Sequence, residues 1–380
     1  MKVIIAPDSF KESLSSLEVA AEIEAGFRDV FPQADYVKLP IADGGEGTVE
    51  ALVAATGGQV MDAEVVGPLG EKVNAFYGVC GDERTVVIEM AAASGLALVL
   101  PELRNPLMTT SYGTGELIRM SLDAGYLDFV IGIGGSATND GGVGMLQALG
   151  VRFLDRDGKE IGYGGGSLAG LARIDVSGLD ARLVDAQIEV ACDVNNPLTG
   201  PTGASAVFGP QKGATPEMVA ELDRCLAHYA ELIRRDIGKD VETEPGAGAA
   251  GGMGAALLAF LPAQLRPGVQ IVIGHIGLEE LVTGADLVIT GEGCIDAQSV
   301  FGKAPVGIAE VARKHAVPVI AIAGSLGQGA EDVGQCGISA LFSVVPGPSS
   351  LEQALAAAAD NVRMTARNVA AVISLTKTAL

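Results

Sequence analysis

The chain has 380 residues, a length that predicts about two domains at ~150 residues each. Its 25 Lys and Arg stand against 47 Asp and Glu, a formal net charge of −22. That balance argues against nucleic acid or an anionic membrane as the main partner, because phosphate recognition draws on positive surface. A hydrophobic content of 48% excludes intrinsic disorder, and 52 glycines without a triplet period exclude collagen. The glycines must therefore sit in loops of a packed protein.

Five cysteines (Cys80, Cys192, Cys225, Cys294 and Cys336) are widely spaced, with no C-x-x-C among them. They support neither a disulfide framework nor a zinc ribbon and read as thiols of a reducing compartment. The N-terminal apolar run is too short for a signal h-region and meets Asp8 at once. The uncharged stretch 245–265 is broken by glycine and proline, so it reads as a glycine loop feeding a short buried helix rather than a membrane span. A soluble cytoplasmic protein is expected.

In chain order, Lys2–Ala6 is short, β-branched and closed by Pro7-Asp8, the mark of a buried strand. Ser15 with Glu18 forms a capping box ahead of apolar positions at helical spacing. Tyr36–Pro40 reads as a second strand. Val65–Tyr77 and Thr85–Met90 look like strands of a different, α+β region. Thr215-Pro216 opens a clear helix, with Met218, Leu222, Leu226, Tyr229 and Ile233 on one face; Arg234, Arg235 and Gly238 close it. His228 on that helix is expected at the surface. Late in the chain, Asp286–Thr290, Val317–Ala321 and Ala340–Val345 read as buried strands around helix Pro305–Lys314. Strand–helix alternation implies an α/β protein with a doubly wound parallel sheet of flavodoxin or Rossmann type. The expected division is residues 1–62 plus 284–380 for that domain, with an inserted second α/β domain at 63–283.

Six polar, glycine-rich segments interrupt the pattern: 6–11, 42–48, 110–115, 132–142, 191–197 and 290–298. Several follow a strand directly, where parallel α/β sheets bind their ligands. The richest, Gly132–Gly142, precedes a small-residue helix at Gly142–Leu149. A glycine turn there offers N–H groups of Gly134 and Gly135 to phosphate oxygens, with Ser136, Thr138 and Asn139 adding side chains. It is not a Walker A loop. Gly132-x-Gly134-x-x-Ala137 also matches a loosened dinucleotide fingerprint, which keeps an NAD-dependent oxidoreductase of a small hydroxy acid open as the alternative.

Carboxylates recur in the same loops: Asp8, Asp43, Glu46, Asp140, Asp193, Glu292 and Asp296. Such groups can hold Mg²⁺ beside substrate phosphates or accept the proton of an attacking hydroxyl. Lys11, Arg104, Lys212 and Lys303 lie in or near similar loops and are candidates for neutralising phosphate or a substrate carboxylate. The three histidines are far apart, and no G-x-S-x-G elbow occurs, so zinc and serine-nucleophile chemistries are poorly served.

Nine segments together carry a resemblance: 6–11, 42–48, Arg104-Asn-Pro-Leu107, Thr110–Glu116, 132–142, 191–198, 208–214, 245–254 and 290–303. In this order, over nearly the whole chain, they resemble the bacterial glycerate kinases of the type that yields 2-phosphoglycerate. The resemblance implies ATP-dependent, Mg²⁺-assisted phosphorylation of D-glycerate in glyoxylate or sugar-diacid breakdown, and a two-domain α/β fold. By chemistry, Asp193 is expected as general base or metal ligand, with Asp8 and Lys11 beside it in catalysis. Asp43, Glu46, Arg104, Asp296 and Gln298 are expected to bind substrate. Gly134, Gly135, Ser136, Thr138, Asn139 and Lys212 are expected to bind the nucleotide, and Glu292 to join Asp193 on the metal. The family reads Gly-Glu-Gly-Arg-Ile-Asp where this chain has Cys294 in place of the Arg, so a catalytically impaired relative is a further alternative. Partners are expected to be small molecules, with the chain a monomer or homodimer.

Overall fold

The computed structural model describes residues 1–378. They fall into two compact units: Met1–Asp43 with Glu50–Gly57 and the chain from Val269 onward, and Gly44–Val49 with Gly58–Gly268. The main strands are β1 (Lys2–Pro7), β2 (Asp35–Lys38), β3 (Gln59–Val66), β4 (Lys72–Val79), β5 (Thr85–Glu89) and β6 (Asp128–Gly132). They continue with β7 (Gln187–Ala191), β8 (Ala263–Arg266), β9 (Leu287–Gly291), β10 (Val319–Ala323) and β11 (Ala340–Ser343).

The first unit holds a five-stranded sheet in the order β11-β10-β9-β1-β2, every neighbouring pair parallel. Winding runs from β1 outward to β2, then returns through β9 and continues to β11. The order is that of a flavodoxin-like doubly wound sheet, whose ligand crevice opens where the winding reverses. Here that point lies between β1 and β9. Because strand side chains alternate, Val3, Ile5, Leu287 and Ile289 share one buried face with helices Ser16–Arg28 and Ala358–Thr378. Ser15 caps the first of these helices: its backbone N–H donates to Glu18 Oε2 at 2.8 Å, while its hydroxyl accepts from the Glu18 N–H at 3.3 Å. The two helices meet at Gly26, where a Cβ would collide with the carbonyl of Arg363. Gly26→Ala would force them apart.

The second unit holds a six-stranded sheet in the order β8-β7-β6-β5-β4-β3. β5 to β8 pair in parallel, whereas β3 and β4 form an antiparallel hairpin along one side. The stretch Val65–Tyr77, expected as strand, is divided by a turn. Gly67 accepts from the Gly70 N–H at 3.0 Å, and Gly70 takes φ +91, which its lack of a Cβ permits. Val86, Ile88, Phe129, Ile131, Ile188 and Val190 fill the centre. The long helix Pro216–Asp236 joins the same core, packing on Gly165–Gly170, Arg173–Asp175 and Ala204–Phe208 and burying Leu222, Leu226, Tyr229 and Ile233, as its spacing predicts. Thr215 caps its start by accepting the Met218 N–H at 3.3 Å. His228 is half-buried rather than at the surface, its Nε2 lying 2.7 Å from the Leu171 carbonyl oxygen. Among the described residues no helix is long and apolar enough to cross a membrane. The 245–265 stretch instead turns a left-handed corner at Ala250–Gly252 and continues as a buried helix to Phe260.

Candidate active site

Both units place polar groups at the carboxyl ends of their parallel strands. In the first, Asp8 follows β1 and Glu292 follows β9, at the point where the winding reverses. Asp8 donates its backbone N–H to the Gly291 carbonyl at 2.8 Å, while its Oδ1 accepts the Ser9 N–H at 2.6 Å. Burial raises the Asp8 carboxyl to about 7, and the neighbouring charges of Asp43 and Glu292 push the same way; the Ser9 amide and Lys11 pull it back. Asp43 is half-buried and Lys11 is exposed.

Glu292 is itself buried and raised by that burial. Its Oε1 accepts the Ser299 hydroxyl at 2.5 Å, and its Oε2 lies 3.5 Å from the Lys303 ammonium. Ser299 accepts in turn from the Asp296 N–H at 3.2 Å, and Asp296 accepts the Gln298 N–H at 2.8 Å. The structure thus brings Asp43 and Glu292 within electrostatic reach of Asp8 and ties Asp296 to Glu292 through Ser299. Gln298 and Cys294 are exposed. Cys294 sits on a short parallel ladder, Cys294–Ile295 against Ser325–Leu326.

In the second unit, the loop after β6 is the centre. No protein acceptor among the described residues takes the N–H groups of Gly134, Gly135 and Ser136. Gly134 and Gly135 are exposed, and Gly135 has φ +73. Successive free amides around a left-handed residue form a concave anion cradle. The segment Gly44–Gly45 lies against this loop: a Cβ on Gly132 would strike the Gly44 carbonyl, and one on Gly44 would strike Ala191 at the end of β7. Asp193, just beyond β7, is exposed, and its Oδ1 accepts the Gly268 N–H at 3.0 Å. Glu46 is exposed too, while Arg104 is half-buried, its Nε donating to the Val99 carbonyl at 3.4 Å.

The cradle differs from the expected helix-start site. The helix after it, Val143–Ala148, has its first amides taken by a residue of the same loop: Asp140, fully buried, accepts from the N–H groups of Gly142 and Gly144 and from the Ser111 N–H and hydroxyl. Burial pushes its carboxyl up while these four donors hold it down. Thr138 and Asn139, expected against the ligand, are fully buried, and Asn139 Nδ2 donates to Ser205 Oγ at 2.9 Å. Lys212 is also fully enclosed; its ammonium donates to Ser136 Oγ at 2.8 Å and to the Thr138 carbonyl at 2.6 Å. Burial lowers its pKa to about 7, against the pull of Asp140. Sequence reasoning missed Ser299 and the inward role of Asp140. Nothing in the local pattern of either marks its partners.

Residues 3–374 match the sequence profile of the glycerate kinase family. The chain belongs to the glycerate kinase family. It is 60% identical to the glycerate kinase of Bacillus subtilis strain 168, with 100% of this chain and 99% of that protein covered. It is 58% identical to the glycerate 2-kinase of Escherichia coli K12, with 99% and 98% covered. A solved structure described as a glycerate kinase 2 of Salmonella typhimurium LT2 superposes with a TM-score of 0.92 at 60% identity, covering 100% of this chain and 99% of that one. As a glycerate kinase family member the chain is an enzyme, a kinase that draws on ATP and acts on small molecules. The loosened dinucleotide fingerprint falls in a glycine turn of a kinase, and the oxidoreductase alternative falls away.

Proposed function

We propose that this enzyme transfers the terminal phosphoryl group of ATP to the 2-hydroxyl of D-glycerate, giving 2-phospho-D-glycerate and ADP. The observation that carries this reading is the 58% identity, over nearly all of both chains, to a protein named glycerate 2-kinase. The amides of Gly134, Gly135 and Ser136 suit the nucleotide phosphates, because they supply donors without requiring a large positive surface in a chain of net charge −22. Asp8 suits the substrate hydroxyl: a carboxyl near 7 can take the proton that the hydroxyl loses as its oxygen bonds to phosphorus. Lys11 and Arg104 remain the candidates for neutralising the glycerate carboxylate and phosphate, with Asp43, Glu46, Asp296 and Gln298 as candidates for the glycerate hydroxyls.

The donor set fits Mg²⁺. Among the described residues no three His, Cys, Asp or Glu gather into a ready-made metal cage. Mg²⁺ takes one or two carboxylates and leaves its other positions to water and phosphate, so a single hard carboxylate oxygen suffices. Asp193, an exposed hard-oxygen donor of the same unit as the amide cradle, is the residue proposed to hold it; the ion would neutralise charge on the phosphates. Glu292, whose two oxygens already have Ser299 and Lys303, is proposed to act on Asp8 instead. The test is incubation with D-glycerate and Mg-ATP followed by phosphorus NMR. A 2-phosphoglycerate resonance is expected; 3-phosphoglycerate, or ADP alone, would overturn the assignment.

A further inference from the structure

We propose that Lys212 is a positioning residue for nucleotide binding: buried beneath the loop after β6, its ammonium fixes the shape of the amide cradle and does not itself touch the ligand. The proposal rests on the reading of that cradle as the phosphate site.

The local sequence is built to aim this side chain inward. Gly209-Pro-Gln-Lys-Gly213 folds as a tight turn in which Lys212 and Ala214 both donate N–H groups to the Gly209 carbonyl, at 3.0 and 3.1 Å. Gly213 closes the turn at φ +90, with the Arg104 backbone so near that a Cβ would collide with it. Gly209 is likewise closed in by the Ser205 carbonyl. Neither glycine of the turn accepts a side chain, and the Lys212 side chain between them is enclosed.

What the ammonium meets there is the underside of the loop. By donating to the Thr138 carbonyl it holds that carbonyl inward, where Gly251 also packs so tightly that a Cβ would strike it. By donating to Ser136 Oγ it occupies an acceptor position of the hydroxyl and leaves the Ser136 O–H proton to be given elsewhere. The unpaired N–H groups of Gly134, Gly135 and Ser136 lie immediately before these two anchors. The loop carries buried polar atoms with no protein partner, Thr138 Oγ1 and Asn139 Oδ1. Elsewhere the loop is held by the Ala137 N–H on the Ser94 carbonyl, the Gly141 N–H on the Gly251 carbonyl and the four donors on Asp140. Lys212 supplies the side-chain ties at Ser136 and Thr138, next to the cradle amides. At 1% exposure Lys212 has no open path to a ligand.

Stability and affinity separate this role from a purely structural one. Lys212→Met relieves the cost of burying a charge but leaves the buried Thr138 carbonyl without its donor. The variant should therefore fold with a modestly lowered melting temperature. Its dissociation constant for a non-hydrolysable ATP analogue, read by calorimetry, should rise ~10-fold or more, the scale of a lost charge-assisted hydrogen bond. The KM for glycerate should stay within about twofold at saturating ATP. Lys212→Ala with added ethylamine should regain part of the nucleotide affinity, and this second variant decides the matter if Lys212→Met does not fold. An unchanged affinity for the analogue in a folded variant, or no recovery with amine, would overturn the proposal. Analogue binding by the wild type is measured without glycerate, so a wrong substrate assignment would leave this test intact, whereas no wild-type binding would remove the phosphate reading itself.

Discussion

The hydroxyl of Ser299 donates to Glu292 Oε1 at 2.5 Å, and both side chains are buried. Through this contact Ser299 fixes the rotamer of a carboxylate whose charge acts on Asp8, and by accepting from the Asp296 N–H it ties two loop segments together. Ser299→Ala leaves a buried carboxylate oxygen and a backbone N–H short of a partner. It should cost about 1–3 kcal/mol of stability, the usual scale for an unsatisfied buried group. Turnover should fall ~10-fold with little change in the KM for ATP. Urea unfolding and steady-state kinetics check the two expectations, and wild-type values for both would remove Ser299 from the site.

Asp8 gives a pH signature that separates it from Asp193. Its carboxyl is raised from 3.8 to about 7 in the folded state. Between those values the native chain holds a proton that the unfolded chain has lost, so stability falls as pH rises through this window. Asp8→Asn removes the penalty. The variant should be more stable than the wild type at pH 8, by a few kcal/mol at most, with the difference shrinking toward pH 4. Wild-type turnover should show an acid limb near pH 7, and Asp8→Asn should lose turnover by at least ~10²-fold. Asp193→Asn should keep the acid limb but raise the Mg²⁺ concentration needed for half-maximal rate. An acid limb that survives in Asp8→Asn would transfer the role of base elsewhere.

The parallel sheets, the capped helices and the loops that end their strands were legible because each rests on short-range rules: β-branched runs, helical spacing and glycine turns. The direction in which a loop residue faces was not. Asp140, Thr138 and Asn139 sit in one glycine-rich run with Gly134 and Gly135, yet the first three are buried and the glycines are open. That choice is made by Ser111, Ser205, Gly251 and Lys212, which come from distant parts of the chain. The hairpin of β3 and β4 was blurred for a simpler reason. Gly67-Pro-Leu-Gly70 is a turn signal inside an otherwise β-rich stretch, and the apolar Leu69 disguises it.

Cys294 bears on how well this chain works. It is exposed on the ladder with Ser325, so Arg fits there without disturbing the core. Cys294→Arg should leave the melting temperature within about 2 °C, as surface changes usually do. The KM for D-glycerate should drop several-fold, since a guanidinium offers a carboxylate a paired set of donors that a thiol lacks. An unchanged KM would show that the enzyme binds its substrate fully without that fork.

Two neighbouring glycines of the cradle should respond in opposite ways to the same added methyl group. At Gly132 a Cβ would lie 2.4 Å from the Gly44 carbonyl oxygen, backbone against backbone, and neither segment can yield cheaply. Gly132→Ala should therefore destabilise the protein by about 1–3 kcal/mol, the scale of an overpacked site, and reduce soluble yield. At Gly134 the nearest atom to a Cβ is Gly45 Cα at 3.4 Å, an ordinary contact, and the residue is not in the left-handed region. Gly134→Ala should fold with near wild-type stability. Its methyl group would nevertheless stand where a phosphate must approach the free amides, so the KM for ATP should rise ~10-fold or more while the KM for glycerate holds. Thermal unfolding and initial rates on the pair test the cradle directly: a Gly134→Ala enzyme with normal ATP kinetics would place the phosphates somewhere other than the loop after β6.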